Sequence, residues 1–351
     1  MFQDITIEEW AELRLAKGIT TIDVRSPGEF AEATIPDSVN VPLFDNEERA
    51  EVGTLYKQVG VQAAKERGLE IVSAKLPSFI RQIGSISGKK AVFCWRGGMR
   101  SRTTATLLSL MDIHVYRLAG GYRAYRSWVL ESLASMTFEP PAYVLNGLTG
   151  TGKTAILQLL AQRGAPVLDL EGMAGHRGSI FGGIGRTASN QKKFDALLFE
   201  RLRLLRDAPY VLFEAEGKRI GKVVQPELMV RKREEAKTVW IELPLEVRVR
   251  NLIEDYRPGE HQEECLAAFR VIKGQIHTPI AAEIDASLKE EKYERAIELL
   301  LTHYYDPRYE HSSGGRSSGE EATIRASSIP DAAEQLEAWI NHPSNVPMVR
   351  S

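Results

Sequence analysis

Only two cysteines, Cys94 and Cys265, occur in this chain of 351 residues. Two thiols cannot build a disulfide framework, so a reducing, cytoplasmic setting is expected. No run approaches the ~20 apolar residues of a membrane span, and no membrane attachment is expected. The opening Met1-Phe2-Gln3-Asp4 lacks the basic-then-apolar pattern of a signal peptide. Excess charge is missing as well. A net charge of −2 argues against binding nucleic acid through bulk charge. No internal repeat is visible. What is present, 43% hydrophobic and 26% charged residues, is ordinary globular composition, and the length exceeds one ordinary core.

The charge is unevenly placed. From Lys89 to Arg126 the bases Lys89, Lys90, Arg96, Arg100, Arg102, Arg117, Arg123 and Arg126 face the single acid Asp112. Such a patch can grip phosphates whatever the global balance. A second basic series, Lys218, Arg219, Lys222, Arg231, Lys232 and Arg233, reads equally well as solvated helix faces.

Inside the first patch lies Cys94-Trp95-Arg96-Gly97-Gly98-Met99-Arg100-Ser101, between an apolar run ending at Phe93 and a helical pattern from Thr103. A cysteine at a strand end, wrapped by a glycine loop that opens a helix, sits in an anion cradle. Backbone N–H groups, Arg96 and Arg100 would favour the thiolate. The alternative is an inert core thiol. Around it, Thr6-Ile7-Glu8-Glu9 forms a capping box, and residues 19–24, 39–42 and 114–118 read as strands. Residues 62–83 read as a helix bent or broken at Pro77. Strands alternating with helices imply a parallel sheet covered on both faces.

Pro140-Pro141 cannot continue a helix and marks a seam. The division expected is 1–136 and 137–351. Beyond the seam, the strand Ala142-Tyr143-Val144-Leu145 runs into Gly147-Leu148-Thr149-Gly150-Thr151-Gly152-Lys153-Thr154 and then a helix. This matches the phosphate-binding P-loop in its confirming context. Gly147, Gly150 and Gly152 let amides approach phosphate oxygens, Lys153 neutralises charge, and Thr154 is a candidate magnesium ligand. The strand Val211–Phe213 ends in Glu214 and Glu216, where a metal- or proton-handling carboxylate would sit. The glycine-rich stretch 169–186 carries His176, Arg177 and Ser179, candidates for a substrate loop beyond a strand's carboxyl end or for a surface lid without chemistry. No nucleoside-recognition motif is evident. The remainder reads as helices at residues 190–206, 245–256, 263–275, 279–288, 293–304 and 331–341, with a Ser/Gly-rich loop at 312–320. Cys265 reads as a core thiol. Residues 304–309, four of them aromatic or basic, could stack on a base or simply pack.

Four motifs in order carry a resemblance to the rhodanese domain: Ile22-Asp23-Val24-Arg25-Ser26-Pro27-Gly28-Glu29-Phe30, Ile35-Pro36-Asp37-Ser38-Val39-Asn40-Val41-Pro42, the cysteine loop, and Leu118-Ala119-Gly120-Gly121-Tyr122. Asp23 and Arg25 are then expected to brace the loop. The Cys-x5-Arg spacing also resembles phosphatases built on that fold. With the P-loop, Gly53-Thr54-Leu55-Tyr56-Lys57-Gln58-Val59-Gly60 and Gly172-Met173-Ala174-Gly175-His176-Arg177-Gly178-Ser179, nearly the whole chain resembles the tRNA 2-selenouridine synthase family.

That resemblance implies an α/β protein, with an N-terminal rhodanese-like parallel-sheet domain and a C-terminal P-loop NTPase-like α/β domain ending in a helical part. It implies exchange of sulfur for selenium at the wobble 2-thiouridine of a tRNA anticodon loop. Geranyl diphosphate first alkylates the sulfur, and selenophosphate then supplies selenium. Cys94 would carry selenium, Arg96 and Arg100 the donor phosphate, and the P-loop the diphosphate. Trp95, Tyr122 and Arg123 are candidates to stack on the anticodon bases, and a selenophosphate-producing enzyme is a candidate partner. Two other readings stay open. One is a rhodanese-fold phosphatase or sulfurtransferase fused to a P-loop kinase, and the other is a non-catalytic relay or binding module.

Overall fold

Five short runs rich in apolar residues pair in parallel in the first part of the chain: Gln3–Ile5 (β1), Ile19–Asp23 (β2), Val39–Asn40 (β3), Lys89–Phe93 (β4) and Tyr116–Leu118 (β5). Their order is β1-β5-β4-β2-β3. The strand β4 lies between two neighbours and Ala91, Val92 and Phe93 are fully buried, as a strand covered on both faces must be. Ile22, Val92, Leu108, Ile83 and Phe79 share one core with Cys94 at its edge. The computed structural model describes residues 2–16, 18–312 and 320–342. It divides into one unit of residues 1–135 with 195–199 and a second of residues 136–194 and 200–351.

Local chemistry sets the helix starts. Thr6, Ser26 and Asp45 each close a capping box with the glutamate three residues on, Glu9, Glu29 and Glu48. The last opens a helix, Asn46–Gln58, that the apolar periodicity did not disclose, since no residue in it is buried. Of the bend or break expected at Pro77, the break is absent: Val61–Gly84 is one helix with Pro77 inside it. Ala64, Gly68 and Val72 before the proline and Phe79, Ile80 and Ile83 after it are all buried, so apolar burial on both sides outweighs the lost backbone bond.

The second unit carries a parallel sheet of Ala142–Asn146 (β6), Val211–Glu214 (β7), Lys237–Glu242 (β10) and Glu320–Arg325 (β11), in the order β11-β10-β6-β7; Arg219–Ile220 (β8) and Val223–Val224 (β9) pair separately as a small antiparallel ribbon. The P-loop follows β6, which is flanked on both sides. Tyr143, Leu145, Val239 and Ile241 pack against Ile156, Leu160, Leu336 and Ile340. Strands β10 and β11 are not evident from the sequence pattern. A helical layer follows, from Gln262–Ile272 through Thr278–Lys289 and Tyr293–Leu300, where Phe269, Ile284 and Ala296 are fully buried. The expected helix end near Tyr304 is instead a π-turn, Leu301–Tyr305, continuing into Asp306–Ser312. Residues 313–319 of the expected Ser/Gly loop lie outside the described residues.

One buried charge pair stands beside β4. Asp23 is 0% and Arg25 1% exposed, with Arg25 Nη2 2.6 Å from Asp23 Oδ2 and 2.7 Å from the Ala33 carbonyl. Thr34 Oγ1 donates to the same carboxylate at 2.9 Å. Removing one partner leaves a buried charge without compensation. Asp23→Ala is expected to lower the stability of the first unit by about 3–5 kcal/mol, read from urea unfolding, and a loss under 1 kcal/mol would contradict that account.

Candidate functional site

Cys94 follows β4 directly and is 3% exposed. Its Sγ lies 3.2 Å from Ser101 Oγ, in the first turn of the helix Met99–Leu110. Gly98 caps that helix without a side-chain hydrogen bond, so the first-turn amides remain directed at the loop. The loop is held from below by a second glycine turn. Tyr122 N–H donates to the Cys94 carbonyl and Arg123 N–H to the Trp95 carbonyl, both at 2.9 Å. A Cβ on Gly121, whose φ is +58°, would come within 2.2 Å of the Cys94 carbonyl oxygen. Arg25 stacks on the Tyr122 ring at 4.4 Å, so the buried pair with Asp23 lies under this turn.

The cations named from sequence fall into different places. Arg100 forms a two-pronged pair with Glu29, at 2.5 and 3.1 Å. Burial works against both charges, but the pair wins, raising the Arg100 pKa and lowering that of Glu29. Arg117, read only as part of the basic stretch, donates to the Gly97 carbonyl at 2.5 Å and pairs with Asp4. Arg96, Arg102 and Arg123 are exposed. Tyr122 is 1% exposed and offers no face for a base, because the Arg25 guanidinium and the Cys94 loop cover it. Trp95 is half-buried, 5.6 Å from the Tyr122 ring.

The second unit builds a separate site. Gly147, Gly150 and Gly152 have φ of +148°, +84° and +70°, the region where glycine is favoured. A Cβ on Gly147 would meet the Ile241 carbonyl oxygen at 2.6 Å, and one on Gly150 the Arg248 carbonyl oxygen at 2.8 Å. Lys153 Nζ donates to the Gly147 carbonyl at 3.0 Å. Sequence reasoning missed the outer support. Arg248, 4% exposed, donates to the Thr149 carbonyl at 2.8 Å and clamps Asp306 at 2.6 and 2.9 Å. Asn251 donates to the Gly150 carbonyl at 3.0 Å.

A cleft of about 600 Å³ opens over this loop, lined by Lys153, Thr154, Arg177, Ser179, Glu214 and Glu216 among others. It also holds Glu171, at the head of the glycine-rich stretch, which no sequence motif marks. Thr154 Oγ1 donates to Glu171 Oε2 at 3.1 Å, and oxygens of Glu171, Glu214 and Glu216 lie within 4.8 Å of one another. Burial raises all three carboxyls; repulsion from Glu214 and Glu216 adds to it at Glu171, whereas Lys153 works against it at Glu214 and Glu216, and Glu171 is pushed up to about 9 and Glu214 to about 7. One hydroxyl and three carboxylates are hard oxygen donors, a set that suits magnesium.

The substrate-loop candidates separate. Arg177 lines the cleft but is held by the Ile184 carbonyl at 2.8 Å and by Asp255, with its guanidinium 4.2 Å above the Tyr256 ring. Ser179 Oγ lies 3.5 Å from Tyr256 Oη. His176 is not part of the cleft wall. Its Nδ1 accepts from Gly178 N–H at 3.2 Å, and its ring packs where a Cβ on Gly221 would reach it at 2.6 Å. Burial, followed by Arg186 and Arg177, lowers its pKa.

Against the cleft lies a narrow apolar slot. Thr149, Ser179, Leu252, Tyr256 and Tyr305 line both cavities. Beyond them the slot runs among side chains of the helical layer, including Cys265, Leu288 and Leu300. Nothing in the sequence pattern separated these residues from an ordinary core.

A family model for the tRNA 2-selenouridine synthase AAA domain matches residues 140–275, and one for the rhodanese-like domain matches residues 6–127. Among curated proteins, the tRNA 2-selenouridine synthase of Sulfurovum sp. is 32% identical over 326 residues, 83% of this chain and 87% of that one. The same-named protein of Bdellovibrio bacteriovorus is 32% identical over 344 residues, covering 84% and 88%. That of Nitrosomonas eutropha is 35% identical over 335 residues, covering 92% and 85%.

The carboxyl cluster generates a pH prediction. The fold holds protons that the unfolded chain releases near the ordinary glutamate value of 4.5. Stability is therefore full below that pH and is lost as pH rises through about 7 and about 9. Urea unfolding of the second unit without divalent cations should weaken over that window, and Glu171→Gln should flatten the decline. An unchanged slope in that variant would contradict the assignment.

Proposed function

The chain belongs to the tRNA 2-selenouridine synthase family, and on that premise we propose that it replaces the sulfur of wobble 2-thiouridine with selenium through an alkylated intermediate. The observation that carries the alkylation step is the apolar slot abutting the P-loop cleft. A nucleoside triphosphate needs polar recognition beyond its phosphates, whereas a prenyl diphosphate needs a charged head site beside an apolar one. In this reading the P-loop amides and Lys153 hold the diphosphate of geranyl diphosphate. The thiouridine sulfur attacks its first carbon, and the P-loop stabilises the charge that develops on the leaving diphosphate. Thr154, Glu171, Glu214 and Glu216 would hold a magnesium ion, which when bound screens that charge.

Selenophosphate then supplies selenium at Cys94, and the geranylated thiol departs from the nucleoside. The uncapped helix start and the exposed Arg96 support a site for the donor's phosphate. An incoming phosphate would share Arg100 with Glu29. Cys94 positions the donor, with Ser101 Oγ beside its Sγ: selenium adds to C2 of the nucleoside, the geranylated thiol leaves as the C–S bond breaks, and water takes the phosphoryl group as phosphate when the P–Se bond breaks. The reaction places the enzyme where tRNA is made and modified, in the cytoplasm, with the anticodon loop as partner and a selenophosphate-producing enzyme upstream.

Mass spectrometry of nucleosides from 2-thiouridine tRNA, incubated with geranyl diphosphate and selenophosphate, tests this directly. Lys153→Ala should abolish the geranylated nucleoside, and the selenated one with it. Cys94→Ala should leave geranylation intact while selenium entry falls by roughly 100-fold or more. Alkylation that survives Lys153→Ala, or ATP consumed in its place, would overturn the reading.

A further inference from the structure

Three members of the second basic series, Lys218, Arg219 and Lys222, do not sit on a helix. In the small ribbon of β8 and β9, Ile220 lies opposite Val223, so Gly221 and Lys222 make a two-residue turn and Lys218 stands at its foot. Ile220 and Val223 are fully buried and pin one face of the ribbon. Lys218, Arg219 and Lys222 are exposed. The backbone beneath them is firmly held. Gly221, φ +54°, packs on the His176 ring, and Gln191 exchanges two 2.8 Å hydrogen bonds with the Val224 backbone. Gln225 donates to the Lys218 and Gly217 carbonyls at 2.8 and 2.6 Å. Arg219 and Lys222 make no ion pair among the described residues, while Lys218 meets Glu227 at 3.3 Å with both partners more than half exposed. A pair of that kind is worth little, and a phosphate can take the place of the carboxylate. Lys232 and Arg233 differ: they donate to the Glu139 and Glu216 carbonyls at 3.4 and 2.5 Å and so serve the fold.

The ribbon begins at the rim of the P-loop cleft. Ala215, Glu216 and Gly217 line that cleft, and Lys218 is the next residue, two Cα steps of ~3.8 Å from Glu216. From Gly217 to Arg233 the chain carries six bases against one acid, Glu227. A base that enters a cleft for chemistry must leave its stack, and the phosphates on either side of it then cross the rim. Fixed cations at that rim meet them. Resting on the functional reading above, we propose that the ribbon is a docking surface for the phosphate backbone of the tRNA anticodon loop, gripped by Lys218, Arg219 and Lys222. Contacts of this kind set register and orientation and carry no sequence information, which leaves recognition of the base to the cleft.

Two measurements test the assignment. In the unaltered chain, acetylation of Lys218 and Lys222 by sulfo-NHS acetate is followed by peptide mass spectrometry. At about 150 mM salt, 2-thiouridine tRNA should slow both reactions by roughly 5-fold or more. Unchanged reactivity overturns the proposal. Polyglutamate that shields the two lysines as well as tRNA does also overturns it, and gives the surface to an acidic protein. In the second measurement, tRNA affinity is followed across a salt series for the double variant Arg219→Ala with Lys222→Ala. Binding should weaken by roughly 10-fold or more at low salt, and the slope of log affinity against log salt should fall by about 1–2. The charge-keeping pair Arg219→Lys with Lys222→Arg should match the unaltered chain. Neither residue lines the cleft, so inorganic diphosphate should bind all three proteins alike. If the unaltered chain binds 2-thiouridine tRNA and the alanine pair keeps its slope, the docking surface fails alone. If the unaltered chain binds no such tRNA, the functional reading falls with it.

Discussion

The Cys94 loop exists because two backbone turns interlock at van der Waals distance. Tyr122 N–H reaches the Cys94 carbonyl at 2.9 Å only because position 121 has no Cβ, which would stand 2.2 Å from that oxygen. Gly97 meets the same constraint from the other side, where a Cβ would lie 2.8 Å from Gly120 N. The turn that contains Tyr122 is in turn pressed by Arg25, whose charge is held by Asp23 and the Ala33 carbonyl. Thus a buried ion pair at the end of β2 fixes the position of a thiol at the end of β4. The pair stabilises geometry more than it stabilises the fold as a whole, since buried ion pairs contribute little net energy.

In the second unit the equivalent constraint is electrostatic. Glu171, Glu214 and Glu216 cluster within 4.8 Å next to Lys153 and Thr154. Burial of three carboxyls is unfavourable when all are ionised. The arrangement persists because Glu171, raised to about 9, holds a proton in place of a charge, while Lys153 works against the burial of Glu214 and Glu216.

Much of this was legible in the sequence, for identifiable reasons. The P-loop was readable because its glycines, lysine and threonine have fixed spacing between a strand and a helix. The capping box at Thr6 was readable because it is local. Features that depend on distant partners were not. Glu171 joins Glu214 only through the sheet, and Arg248 supports Thr149 from 99 residues away. Nor could spacing show that Arg100 faces Glu29, 71 residues earlier. The strands β10 and β11 escaped because Lys237–Glu242 pairs with β6 and with a segment over 70 residues later, so its strand character is conferred by neighbours. The slot escaped because a cavity lining and a core share one composition.

Arg248 has a mechanical consequence. It ties the Thr149 carbonyl, on the P-loop, to Asp306, the residue immediately after the π-turn that carries Tyr305. Tyr305 borders both cavities. A single guanidinium therefore sets the distance between the outer turn of the P-loop and the end of the helical layer, so a change at Asp306 reaches the phosphate-binding loop although Thr149 and Asp306 are 157 residues apart in sequence.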